Sequence, residues 1–225
     1  MTFALVLLSG CESISFGSRP TPEASPPPSA AMNAPADIPV GAELVARRLD
    51  ASTYVVTHKT FYDSNVLVAV MPDGSILLGS SPYETEGARA LLRWVRATFK
   101  PTRIVAINTH MHFDGTGGNE AYLEDHVDVY ASTLTSSLLA EKGETMRKET
   151  RNLLTDQSKR DRLDKMRIIT ANHTFPESAG LALTFGDEKV EVHYPGPAHS
   201  PDNVVVYLRK RRILFGGCMV KAGHA

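Results

Sequence analysis

The chain has 225 residues, 42% of them hydrophobic and 7% aromatic, enough for one well-buried domain or a domain with a tail. A formal net charge of −1 leaves no clustered positive field of the kind phosphate binding requires, so no nucleic-acid partner is expected. Only two cysteines occur, Cys11 and Cys218, in unlike surroundings, which argues against a disulfide framework.

In chain order, Phe3 to Leu8 is a short apolar run followed by Ser9-Gly10-Cys11. This is the pattern of a secretory leader, and Leu8 to Cys11 has the form of a bacterial lipobox in which Cys11 would be lipidated, although no Lys or Arg precedes the run. A disordered apolar tail is the competing reading, and the run is too short to span a bilayer. Residues 1–18 are read as the leader. Residues 19–42, rich in Pro, Ala and Ser, are read as an extended linker, and 43–225 as the folded domain.

Tyr54 to Thr57, Ser64 to Val70 and Ser75 to Leu78 read as strands, with Pro72-Asp73-Gly74 a turn between the last two. Glu84 to Phe99 carries Ala88, Leu91, Leu92 and Val95 at helical spacing and is closed by Lys100-Pro101. Arg103 to Asn108 reads as a buried strand, and Ser136 to Lys165 as a long polar helical stretch. Strands follow near Leu181 to Phe185, Lys189 to Tyr194, Val204 to Leu208 and Arg212 to Phe215. The basic run Arg209 to Arg212 fits a solvated hairpin turn. The order of elements predicts a layered α/β domain with helices outside a sheet core.

The chemistry concentrates in Thr109-His110-Met111-His112-Phe113-Asp114-Gly115-Thr116-Gly117-Gly118-Asn119. Two histidines two apart, with an aspartate two further on, place three metal-capable groups at a strand-to-loop junction. Imidazole and carboxylate are ligands that zinc accepts. Gly115, Gly117 and Gly118 are expected to let the backbone turn sharply below the metal. His199 follows Gly196-Pro197-Ala198 after a strand, and Cys218 follows Phe215-Gly216-Gly217 after another. Cys218 could be a buried hydrophobe. In an oxidising compartment a metal would hold it as thiolate.

In order and context, His110, His112, Asp114, His199 and Cys218 resemble the ligands of the metallo-β-lactamases whose second zinc site uses a cysteine. The resemblance implies a four-layer αββα sandwich carrying two zinc ions, one held by His110, His112 and His199 and the other by Asp114 and Cys218. It implies a β-lactam substrate whose ring is opened by a zinc-bound hydroxide oriented by Asp114, and hence antibiotic resistance. Lys221 would anchor the substrate carboxylate, and a mobile apolar flap, His58 to Asp63 with Phe61 and Tyr62, would cover it. A periplasmic monomer is implied, tethered to the outer membrane if Cys11 is lipidated. Two departures stand out. The family's further histidine ligand, last strand and helix would lie past Ala225, with His224 a weak substitute, so the domain reads as C-terminally truncated. Ser80 replaces an aspartate common behind the ligands. Competing readings are a glyoxalase-II-like thioesterase, which would carry a histidine where Gly115 stands and lack the cysteine, and an inactive fragment.

Overall fold

The computed structural model describes residues 36–220. The leader with Cys11, most of the expected linker, Lys221 and His224 lie outside the described residues.

Five strands open the fold as an antiparallel meander: β1 (Ile38–Gly41), β2 (Leu44–Arg48), β3 (Thr53–Lys59), β4 (Asp63–Val70) and β5 (Ile76–Gly79). The strand β1 falls inside residues 19–42, which the composition had assigned to a linker. Ile38 and Val40 pack against the helix-side core while β1 pairs with β2, so alternation prevails over a Pro-containing composition. The turn after β4 forms as its Pro-Asp-Gly sequence requires, with Gly74 at φ 80° and Met71 N–H donating to Ser75 O at 2.8 Å.

Next comes α1 (Thr85–Phe99). Its N-cap Glu84 accepts from the Glu86 and Gly87 amides, and Lys100 ends it in the left-handed region before Pro101. The chain then adds β6 (Ile104–Ile107), β7 (Asp128–Ser132) and β8 (His173–Phe175) in parallel, completing an eight-stranded mixed sheet. All four residues of β6 are buried, the mark of a parallel strand covered on both faces. The second sheet is antiparallel: β9 (Leu181–Phe185), β10 (Glu188–His193), β11 (Val205–Leu208) and β12 (Ile213–Phe215).

The two faces of the large sheet build separate cores. On one, Val66, Val68, Ile76 and Leu78 meet Leu91, Leu92 and Val95 of α1. On the other, Leu67, Leu77, Val105 and Ile107 meet Phe185, Val190, Val192 and Val206 of the small sheet. Each fully buried side chain of this size is worth roughly 1.5–3 kcal/mol. The result is an α/β molecule of helices, large sheet and small sheet. The outer face of the small sheet shows Lys189 and His193 to solvent.

Two further expectations change. The stretch Ser136 to Lys165 is two helices, α4 (Thr133–Leu153) and α5 (Gln157–Lys165). Asp156 breaks it because its carboxylate caps α5, accepting from the Ser158 and Lys159 amides. The basic turn is not wholly solvated: Arg211 turns inward, its side chain 10% exposed. There it donates to Glu188, Ser52, Thr53 and Val70 O, stapling the small sheet to the large one. Among the described residues no helix is long and apolar enough to cross a membrane.

Candidate metal centre

The expected ligand residues sit on loops and short helical turns at one edge of the sandwich, past the carboxyl ends of strands, where α/β sheets present ligand sites. After β6 the chain runs through Asn108 and Thr109 into α2 (Phe113–Thr116) and α3 (Asn119–Glu124). Asn108 Nδ2 donates to Gly115 O at 2.8 Å and to Asn119 Oδ1 at 2.9 Å, and Asn119 Nδ2 returns to Asn108 Oδ1 at 3.0 Å. This pair pinches the loop closed beneath His110, His112 and Asp114.

The glycines act here through space rather than through unusual dihedrals. Gly115 and Gly117 are helical, Gly117 with φ −63°. A Cβ on Gly115 would lie 2.4 Å from His110 O, and one on Gly117 would lie 2.3 Å from Tyr83 O. Any side chain would push apart the loop that carries the histidines.

His199 comes from the loop after β10. Ser200 N–H donates to Asn203 Oδ1 at 2.6 Å and Ser200 Oγ to Asp202 Oδ1 at 2.6 Å, fixing that loop. Cys218 lies on a single 3₁₀ turn, η1 (Gly217–Met219), after β12. Gly217 has φ 52° there, and a Cβ on it would meet Thr109 Oγ1 at 2.8 Å.

The five side chains converge. His112 Nδ1 and His199 Nε2 are 3.0 Å apart, His110 Nε2 and Asp114 Oδ1 3.4 Å, and Cys218 Sγ and Asp114 Oδ2 2.6 Å. Donor atoms of His110, His112 and Asp114 lie within 4.8 Å of one another, as do those of His110, His199 and Cys218. His110 is fully buried, yet its Nε2 has no hydrogen-bond partner. A buried orphan nitrogen among carboxylate, thiol and imidazole donors is a costly arrangement that a cation would satisfy. The donor set fits zinc. Burial would raise the Asp114 carboxyl, but the neighbouring His110, then Cys218, hold it at about 2. Burial, then the neighbouring His110, lowers the pKa of His112, keeping its lone pair available.

Behind the ligands, Ser80 occupies the left-handed region at φ 69°, a costly conformation for a residue with a Cβ. Its Oγ lies 2.6 Å from Thr109 Oγ1, which lies 3.1 Å from His110 Nδ1. Thr109 therefore relays Ser80 to the histidine. Its position beside His110 was the available signal, and it went unread.

His112, Asp114, His199 and Cys218 floor a cavity of about 410 Å³, lined also by Tyr62, Asp63, Ser64, Tyr83, Met146 and Thr150. Tyr62 is 53% exposed at its rim. Phe61 does not line it; it packs edge-on against Tyr83 at 5.1 Å and joins the cluster of Leu154, Leu163 and Met166, where it finds more apolar surface. The α4 wall was missed. Met146 and Thr150 are four apart and share a helix face, but sequence alone gives no hint of what that face meets.

A family model described as the metallo-beta-lactamase superfamily matches residues 60–224. A Pseudomonas aeruginosa protein named metallo-beta-lactamase type 2 is 28% identical over 187 residues, covering 80% of this chain and 63% of its own. One of the same name from Bacillus cereus is 30% identical over 162 residues, covering 72% and 53%. The chain thus spans about three-fifths of the length of the curated relatives it matches. A solved metallo-beta-lactamase from Pontibacter korlensis superposes with a TM-score of 0.65 at 29% identity, covering 81% of this chain and 74% of its own. A structure from Hirschia baltica, at 24% identity and a TM-score of 0.63, shares the fold.

Proposed function

Since the chain belongs to the metallo-beta-lactamase superfamily, we propose that it is a zinc-dependent hydrolase that opens the β-lactam ring, with His110, His112 and His199 as one ligand group and Asp114 and Cys218 as the other. The observation that carries this reading is the convergence of those five side chains from three separate segments, four of them lining one cavity with the buried His110 beside them. Cys218 among them favours the cysteine-ligand subclass. Bound zinc supplies Lewis acidity and lowers the pKa of water toward neutrality. The residues of the chain supply the rest. Asp114 stays ionised and can accept a hydrogen bond from an attacking water, orienting it toward the carbonyl. Tyr83, Met146 and Tyr62 give the cavity apolar walls that hold a ring-shaped substrate and exclude bulk solvent.

The test is hydrolysis of a cephalosporin and a carbapenem by the purified protein, with zinc added and with a chelator. Zinc-dependent turnover that the chelator abolishes supports the reading. Stoichiometric zinc binding without β-lactam turnover would overturn the substrate assignment while keeping the metal centre.

A further inference from the structure

The turn joining β3 to β4 carries Phe61 and Tyr62 and is fastened from outside by α5, more than ninety residues away. Arg162 forks onto Glu43, Nη1 to Oε2 at 2.7 Å and Nη2 to Oε1 at 3.1 Å, and Nη2 also donates to Thr60 Oγ1 at 3.0 Å. The guanidinium carbon sits 5.9 Å from the Phe61 ring centroid. Lys159 Nζ, one helical turn earlier, donates to Thr60 O. Thr60 is only 6% exposed although it lies in a hairpin turn. The neighbouring His58 is buried, and its Nδ1 accepts the Tyr83 N–H at 3.1 Å. Thus one side of the cavity, Tyr62 and Tyr83, is referenced to a helix that makes no part of the cavity wall.

From this geometry we infer that Arg162, with Lys159, is a positioning residue that sets where the Phe61–Tyr62 turn stands over the cavity, and so governs substrate fit rather than chemical rate. Arg suits the task because its planar fork bonds a carboxylate and a hydroxyl together while its face covers an aromatic ring; lysine offers no such geometry. Substrate contact through a clamped Tyr62 is made alike in ground and transition states, so releasing it should raise KM and leave kcat alone. The kinetic half of the inference rests on the proposed β-lactam hydrolysis; the structural half does not.

The test compares the wild-type protein with Arg162→Ala, Arg162→Lys and Lys159→Met. One readout is the rate of tryptic cleavage after Lys59, measured against cleavage in the β11–β12 turn after Arg209; the others are zinc content and kcat and KM for a cephalosporin. We expect Arg162→Ala to speed the Lys59 cut about tenfold with the Arg209 cut unchanged, because cleavage tracks local opening. KM should rise about three- to tenfold with kcat within about twofold and zinc content unchanged. Arg162→Lys and Lys159→Met should fall between wild type and Arg162→Ala. An unchanged Lys59 cut in both Arg162→Ala and Lys159→Met overturns the clamp, as does equal acceleration at both sites, which would signal general loosening. A selective Lys59 effect with unchanged KM overturns the link to substrate fit. If wild type shows no turnover while the Lys59 effect remains, the clamp stands and the substrate assignment fails.

Discussion

Two buried histidines of this molecule look alike and are built for opposite purposes. His110 and His58 are 0% and 1% exposed, and each aims an Nε2 without a hydrogen-bond partner toward carboxylate oxygen. For His110 the oxygen belongs to Asp114 at 3.4 Å; for His58 it belongs to Glu43 and Glu84 at 3.9 and 4.0 Å. The donor atoms of Glu43, His58 and Glu84 even lie within 4.8 Å of one another, as a metal site would require. The other ring nitrogen separates them. His110 Nδ1 faces the Thr109 hydroxyl, which can accept a hydrogen bond from Nδ1–H and so leave Nε2 a lone pair for a cation. His58 Nδ1 accepts a backbone N–H, so its proton must sit on Nε2, where it cannot ligate. Around His58 the positive charge is already supplied, by Arg162 on Glu43 and 3.7 Å from Glu84. What a histidine can do is decided by the partner of the nitrogen that does not do it.

The comparison is broken most directly by removing each ring. His110→Ala should lower zinc affinity by more than about 100-fold and abolish the zinc-induced rise in melting temperature, whereas His58→Ala should leave zinc stoichiometry intact. Isothermal titration with zinc decides this, and loss of binding in His58→Ala alone would reverse the assignment.

Acid sharpens the contrast next. Burial, opposed by Glu43 and aided by Arg162, depresses His58 from its ordinary 6.5 to about 4. Below pH 6.5 the unfolded chain takes up a proton that the folded one refuses, so stability present above 6.5 is lost as pH falls toward 4. The loss should reach about 3 kcal/mol for this one group. Denaturant unfolding across that window should show the slope, and His58→Gln should flatten it. An unchanged slope in that variant would mean that other groups carry the acid response.

The smallest effect probes the relay itself. Thr109→Val keeps shape but removes the hydroxyl between Ser80 and His110. It should cost about tenfold in zinc affinity, at the low end for groups that orient a ligand histidine. Ser80→Ala, one bond further out, should do less in the same titration. Equal effects would show that Ser80 acts on the metal by another route.

Much of this was legible from the chain alone. The run His110 to Asn119, His199 and Cys218 each stand where an apolar strand ends, and strand ends in a layered α/β fold face one edge, so their meeting could be anticipated from pattern and spacing. The helix Thr85–Phe99 declared itself by periodicity and by its Lys-Pro stop. Short strands did not: β1, β2, β7 and β8 have three to five residues, too few for any alternation to stand out from loop. Their identity depends on neighbours that supply hydrogen bonds. The sequence by itself determined which side chains could hold a metal and roughly where the backbone would deliver them, because ligand chemistry and local periodicity are properties of residues and their near neighbours. Only the tertiary structure decided that Phe61 packs away from the cavity, that Met146 and Thr150 wall it, that Arg162 reaches Thr60, and that His58 cannot be a ligand. Each of those depends on a contact between segments tens of residues apart, and burial, tautomer and charge pairing do not exist until such segments meet.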